Sequence, residues 1–192
     1  MSLMKVLRSK KNDILMIMRK IFFKNQEFDI SKLVYPILIH GQEGAGASLY
    51  TVSLAANLYL QNNRIIFLCG YTMAEKEFTE QVGTVDKSNI QFFVKEKVED
   101  FKDALSHADD NTIIVVKNIE EFEEEVFQLV CSHNKIIISG DIYNSVFKDK
   151  ILANHFATRI FFSSIDSFNI PEMNKYEGYL ISATADGITK IE

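Results

Sequence analysis

A glycine-rich segment is the part of this sequence whose residue types and spacing are best suited to chemistry. Residues 36–48 read PILIHGQEGAGAS, an apolar run followed by Gly41, Gly44 and Gly46 and then by Ser48. Strand, glycine-rich loop and helix in this order fit the phosphate-binding pattern G-x-x-x-x-G-K-[ST]. Backbone N–H groups at such a helix start bind anions through unpaired donors and the helix dipole. The pattern fails only at Ala47, which stands where the lysine belongs.

The missing lysine changes what this loop is expected to do. That lysine ordinarily neutralises charge on the phosphoryl group that is transferred, and a charge pair in contact near a protein surface contributes about 4 kcal/mol. Because charge moves in the transition state, its loss should impair hydrolysis more than binding. Ser48 still offers a hydroxyl to a magnesium ion. A glycine-rich turn that holds no ligand is the alternative interpretation of the same residues.

A second departure follows the apolar run at residues 113–116, IIVV. A nucleotide hydrolase needs an acid at the end of such a strand to hold magnesium, but Lys117 and Asn118 occupy those places. Lys117 is a candidate for supplying the charge absent at Ala47, and a cation here would disfavour magnesium. The alternative is a partly solvated lysine at a strand end. We therefore predict no catalytic residue and no metal site.

The elements that would position these residues alternate between strands and helices. Strands are predicted at 37–40, 64–69, 90–94, 112–116, 136–138 and 159–162, and helices at 13–23, 48–60, 73–82, 98–105, 119–130 and 146–154. This alternation predicts an α/β fold, a three-layer parallel sheet flanked by helices. Ligands bind at the carboxyl ends of the strands in such sheets. The loop at 41–48, Lys117 and Asp141 all follow strands and should meet at that edge.

Composition favours one acidic α/β domain, and two isolated cysteines, Cys69 and Cys131, are typical of core thiols in a reducing compartment. The chain has 192 residues, and 47% of them are hydrophobic, which is enough for a full core. Residues 1–24 carry seven basic residues and one acidic residue, while the whole chain has a net charge of −5. The acidic body is a poor nucleic-acid surface, so direct DNA binding is left open only for the basic start. No apolar run is long enough to insert in a membrane. We predict a cytoplasmic protein with a basic N-terminal helix segment at 1–29 and the P-loop NTPase-like domain at 30–192.

Four motifs in series resemble the AAA+ domain of the bacterial replication initiator DnaA and of its short regulatory relative Hda. They are LIHGQEGAGASL at 38–49, VKNIEEF at 116–122, IIISGD at 136–141 and ATRI at 157–160. The resemblance implies a P-loop fold in which Gly41, Gly44, Gly46 and Ser48 form the phosphate loop. It also implies that the family's helical lid is largely absent.

The same resemblance gives two further residues a role. Asp141 matches the first sensor position, and a helix cap is its alternative. Arg159 matches the arginine that family members present to a neighbouring subunit's nucleotide, and an ordinary strand-start arginine is its alternative. Together with Ala47 and Lys117, these residues complete the predicted nucleotide site.

Three functions follow. The first is a catalytically impaired AAA+-like protein that binds ADP or ATP weakly, without magnesium, and acts on a protein partner such as a replication initiator, with a homo-oligomer left open. The second is an active ATPase with unconventional residues. The third is a RecA-like P-loop pseudoenzyme scaffold, in which residues 179–191 would form a β-hairpin instead of a partly helical lid.

Overall fold

The computed structural model describes residues 20–23, 26–29, 33–41, 46–70, 73–162, 178–182 and 188–191. Within these ranges the strands are β1 (Lys20–Phe23), β2 (Gln26–Asp29), β3 (Ile37–Gly41), β4 (Ile65–Cys69), β5 (Ile90–Val94), β6 (Ile113–Lys117), β7 (Ile136–Gly140), β8 (Thr158–Phe162), β9 (Gly178–Ser182) and β10 (Ile188–Ile191). The α-helices are α1 (Ala47–Leu60), α2 (Met73–Val82), α3 (Val98–Ser106), α4 (Glu124–Val130) and α5 (Lys148–Ala153). Short 3₁₀ turns lie at Lys95–Lys97, Ile119–Glu121 and Ile142–Asn144.

Eight strands form one sheet in the order β10-β9-β8-β3-β7-β6-β4-β5. The six strands from β8 to β5 are parallel, and β9 and β10 continue the sheet in antiparallel pairing. The predicted α/β parallel sheet is therefore confirmed. Strand β7 lies between β3 and β6, which places Ser139 in register with Ile39 on one side and with Lys117 on the other.

The core has two layers, one on each face of the sheet. Strands β3, β4, β6 and β7 are buried along their whole length, as expected for parallel strands covered on both faces. Helices α1 and α2 cover one face, where Leu54 and Phe78 are fully buried. Helices α3, α4 and α5 cover the opposite face, where Phe101 and Ile151 are fully buried. This is the three-layer arrangement expected from the sequence.

Two predicted helices differ from the structure. The helix predicted at 13–23 is wrong over its last turn, because Lys20–Phe23 is strand β1, paired antiparallel with β2. Ile21, Phe22 and Phe23 are β-branched or aromatic and fit a strand at least as well as a helix; residues 13–19 lie outside the described ranges. The helix predicted at 119–130 is split, because Phe122 is extended and α4 begins only at Glu124.

The remaining predicted elements agree with the structure to within about two residues at each end, the scatter expected of helix and strand boundaries. The stretch 179–191 forms strands in β9 and β10 where it is described, as the RecA-like alternative expects. No described helix is long and apolar enough to cross a lipid bilayer. The division at residue 29 stays a prediction.

Candidate functional site

The site begins where β3 ends and α1 starts. Gly41 closes β3 so near to β8 that a Cβ there would overlap the backbone of Phe162. Gly46 is the N-cap of α1 and has a left-handed backbone with φ of 109°, which glycine adopts without strain. A glycine N-cap brings no capping side chain, and the first turn of α1 contains no acid. No N-cap side chain therefore bonds the N–H groups of this turn, and helix N-terminal N–H groups bind anions.

Three predicted loop positions lie at this helix start or beside it. Ala47 is buried at the first position of α1, and its carbonyl oxygen accepts a hydrogen bond from the Thr51 hydroxyl at 2.8 Å. Ser48 is half-buried one residue later. Gly44 lies outside the described residues. The strand predicted before the loop and the helix predicted after it are therefore both present.

Lys117 lies at the carboxyl end of β6 and is a buried cation. Its side chain is 5% exposed, and Nζ lies 3.5 Å from Oε2 of Glu77, on α2. Ile113 and Val115 alternate with it and pack under α1 and α2, so Lys117 points to the face of the sheet that carries the phosphate-loop helix. A buried ammonium is costly unless it is paired, and Glu77 is the acid that pairs it among the described residues.

Ser139 lies on the strand between Lys117 and the strand that leads into the loop. It stands in register between Lys117 and Ile39, and each neighbouring strand is about 5 Å away. Ile137, two residues earlier, packs under α1, so Ser139 faces the same helix. Its side chain is fully buried, and its Oγ has no hydrogen-bond partner among the described residues. Buried hydroxyls are almost always bonded, so this Oγ is a candidate partner for a polar ligand atom.

Asp141 follows β7 and interacts with Glu120, an acid in the 3₁₀ turn at Ile119–Glu121. One Asp141 oxygen, Oδ2, accepts from the side-chain amide of Asn144 at 3.0 Å, and no side-chain cap bond forms at the turn that follows. Glu120 lies over Gly140, where a Cβ would overlap its carboxylate. Burial, and secondarily the charge of Asp141, raises the pKa of Glu120. Asn118, in a left-handed conformation, donates to Glu120 at 3.3 Å.

Arg159 lies on the opposite face of the sheet from α1. Its guanidinium donates to the carbonyl oxygens of Leu152 and Asn154 at 3.1 Å each, at the end of α5, and lies 5.9 Å from the centre of the Phe156 ring. These contacts are those of a strand-start arginine that caps a helix C-terminus. A role toward a neighbouring subunit's nucleotide stays a prediction.

His40, beside the loop, is held neutral. Burial, and secondarily the charge of Arg159, lowers the pKa of His40 to about 4. Its ring packs 4.8 Å from that of Phe161 on the face opposite α1. Uncharged imidazole adds no cation to the loop at neutral pH, whereas Lys117, at the end of β6, is a buried cation.

The arrangement suits an anion better than a metal ion. The sheet face that α1 covers carries the N-terminus of that helix, a buried ammonium and a buried hydroxyl, all of which can donate to phosphate oxygens. Across the described residues, no group of three or more His, Cys, Asp or Glu side chains could hold a metal ion. Sequence reasoning missed Glu77 because it lies 40 residues from Lys117; only the adjacency of β4 and β6 brings their elements together.

Comparison with known proteins gives structural neighbours only. No protein-family model matches the chain, and no curated protein matches it in sequence. The genome packaging NTPase B204 of Sulfolobus turreted icosahedral virus 2, solved in complex with AMPPCP, superposes with a TM-score of 0.58 at 10% identity, covering 81% of this chain and 96% of that one.

Two further neighbours agree. The cytoplasmic domain of the type VII secretion ATPase EccC of Thermomonospora curvata gives a TM-score of 0.51 at 12% identity, over 87% of this chain and 24% of that one. Another solved ATPase domain gives 0.50 at 10% identity, over 80% of this chain and 78% of that one. At such identities the likeness concerns the fold. The chain therefore has the three-layer α/β fold of P-loop NTPase domains.

Proposed function

We propose that this chain binds the phosphate groups of a nucleotide at the N-terminus of α1, without magnesium and without hydrolysing them. The observation that carries the proposal is the buried ammonium of Lys117 on the sheet face under α1, in register with Ser139, whose hydroxyl has no hydrogen-bond partner among the described residues. Lys117 would take over the charge that Ala47 lacks. The nucleotide class is supported by the B204 neighbour, whose structure holds AMPPCP.

Metal-free binding follows from the position of the lysine. Magnesium is held by anionic or neutral oxygens, and a cation at the end of β6 replaces the acid that would contribute one. Without that ion the charge developing on a transferred phosphoryl group has less stabilisation. Glu120 is an acid at the same edge, but its carboxylate is held over Gly140 and accepts a hydrogen bond from Asn118, so we assign it no role in activating water.

The output of the domain is then protein binding. The antiparallel strands β9 and β10 beside β8 favour the RecA-like scaffold over an AAA+ arrangement that continues into a helical lid. A replication initiator is the partner implied by the competing AAA+ resemblance to DnaA and Hda, and we propose testing it because its binding separates the two interpretations. A pull-down of that initiator with the nucleotide-loaded chain measures it directly.

Calorimetry with ADP and ATP, each with and without magnesium, tests the binding site. We expect weak binding that magnesium does not strengthen, and no turnover in a phosphate-release assay. Lys117→Met should weaken binding by at least about tenfold, or 1.4 kcal/mol. Lys135→Met, a lysine just before the amino end of β7 that donates to Asn111, is the matched control and should change affinity by less than about twofold.

Two results would contradict the proposal. Multiple turnovers would mean that an unconventional set of residues supports catalysis. Equal affinity of the Lys117→Met and Lys135→Met variants would mean that the buried ammonium does not contact the ligand. Ala47→Lys restores the loop lysine and should tighten binding, provided that its circular dichroism matches that of the parent chain.

A further inference from the structure

We infer that Glu77 competes with the nucleotide phosphate for Lys117. Its carboxylate pairs with the Lys117 ammonium and thereby lowers the affinity of the site for phosphate. This inference rests on the proposed function, because it concerns the regulation of the same site. It adds a residue from α2, which lies outside the phosphate loop and outside the strand that carries Lys117.

Glu77 is placed over the ammonium by a firmly anchored helix. Phe78, next to it on α2, is fully buried and packs 5.4 Å from the Tyr59 ring and 5.2 Å from the Phe92 ring. The Glu77 side chain is 34% exposed, whereas that of Lys117 is 5% exposed. The carboxylate is therefore the solvent-exposed member of the pair and lies 3.5 Å from an ammonium that has little contact with solvent.

The other acids of α2 do not share this position. Glu75 pairs with Lys87 at 3.9 Å and Glu80 with Lys76 at 4.0 Å, and each of these four side chains is more than half exposed. Exposed pairs of this kind contribute little. Glu77 alone among the three faces a buried cation, so it is the acid of α2 whose charge is felt inside the site.

A phosphate at the N-terminus of α1 would compete with this carboxylate. An ammonium has three donors and can serve two acceptors, but a phosphate bound beside Glu77 brings two anions to one buried cation. Like charges at contact distance repel strongly in a partly buried site. Binding then requires Glu77 to turn out to solvent, which its 34% exposure allows. The free chain is held in a state of low affinity as a result.

The test compares Glu77→Gln with Glu80→Gln in calorimetry with ATP in magnesium-free buffer. Glutamine keeps the length of the side chain and removes its charge. We expect Glu77→Gln to bind ATP about tenfold tighter than the parent chain, and Glu80→Gln to differ by less than about twofold. In the Lys117→Met background, Glu77→Gln should have no effect, because the group for which it competes is gone.

Thermal unfolding gives a second measurement of ATP binding and shows whether each variant is folded. ATP at a fixed concentration should raise the thermal midpoint of Glu77→Gln by more than that of the parent chain, because ligand stabilisation grows with affinity. If Glu77→Gln does not fold, Glu77→Asp keeps the charge, withdraws it by one methylene, and should tighten ATP binding by about threefold.

The outcomes separate the two claims. Unchanged or weaker ATP binding in Glu77→Gln, together with a loss of binding in Lys117→Met, overturns the competitor role and leaves the phosphate site standing. Tighter binding in Glu77→Gln that persists in the Lys117→Met background overturns both the competitor role and the assignment of Lys117. Absence of ATP binding in every variant overturns both claims as well.

Discussion

The ion pair between Lys117 and Glu77 makes an asymmetric prediction about stability. The lysine is the buried member of the pair and the glutamate is one-third exposed. At their separation of 3.5 Å, the gross attraction is about 5 kcal/mol at an effective dielectric constant of about 20. Desolvation of the ammonium consumes most of that attraction. Removing Glu77 strands a buried charge, whereas removing Lys117 leaves an acid that can turn to water.

We therefore expect Glu77→Gln to lower the free energy of unfolding by about 2 kcal/mol and Lys117→Met to change it by less than about 1 kcal/mol. The double variant should resemble Lys117→Met alone, which gives a coupling of about 2 kcal/mol in the cycle. Urea denaturation followed by far-ultraviolet circular dichroism measures all four chains, with the m-value checked for constancy.

The opposite order would refute the reasoning. If Lys117→Met costs as much as Glu77→Gln or more, the aliphatic part of the lysine, rather than its charge, holds the edge of β6. If Glu77→Gln is neutral, the ammonium already reaches water and has no need of a partner. Stability and ATP affinity should also move in opposite directions in Glu77→Gln, because the charge that stabilises the free site opposes the ligand.

Three further perturbations test other parts of this edge. Gly140→Ala should lower the free energy of unfolding by at least about 2 kcal/mol in the same denaturation assay, because the backbone has φ of 152° and a Cβ would overlap Glu120. NMR should show no titration of the His40 ring between pH 5.5 and 8, because its pKa is lowered to about 4. In the unfolded chain this ring binds a proton near pH 6.5, so the free energy of unfolding should fall as the pH is lowered from about 6.5 toward 4. Arg159→Met should cost about 1 kcal/mol through the lost bonds to the end of α5, with no change in ATP affinity.

Much of the fold could be predicted from the sequence because its signals are local. The apolar runs of β3, β4, β6 and β7 are continuous, as buried parallel strands are, and α3 shows helical spacing at Val98, Phe101 and Leu105. The helix predicted over residues 20–23 is wrong because a short apolar run fits a helix and a strand equally well. Pairing with β2 makes this segment a strand.

The site was only half predictable for a related reason. Lys117 could be singled out because it interrupts a familiar order of residue types. The register of Lys117 with Ser139 depends on β7 lying between β3 and β6. Its burial and its pairing with Glu77 likewise depend on contacts between segments that are distant in sequence. Glu77 and Ser139 belong to no sequence motif, so their neighbouring residues could not predict that they lie in the same site as the loop.

The glycines of this edge are weaker evidence for a ligand than their pattern suggests. Gly41 is required by the close approach of β8, and Gly140 by Glu120 and by its own backbone; both requirements hold whether or not a phosphate ever binds. A chain that had lost all nucleotide affinity would keep both glycines for packing. The Ser139 hydroxyl, which is buried and has no hydrogen-bond partner among the described residues, is costly without a ligand, whereas the Lys117 ammonium is already paired with Glu77. The case for phosphate therefore depends on Ser139 and on whether Lys117 can serve a phosphate as well as Glu77, and the affinity of the Lys117→Met variant decides the second point.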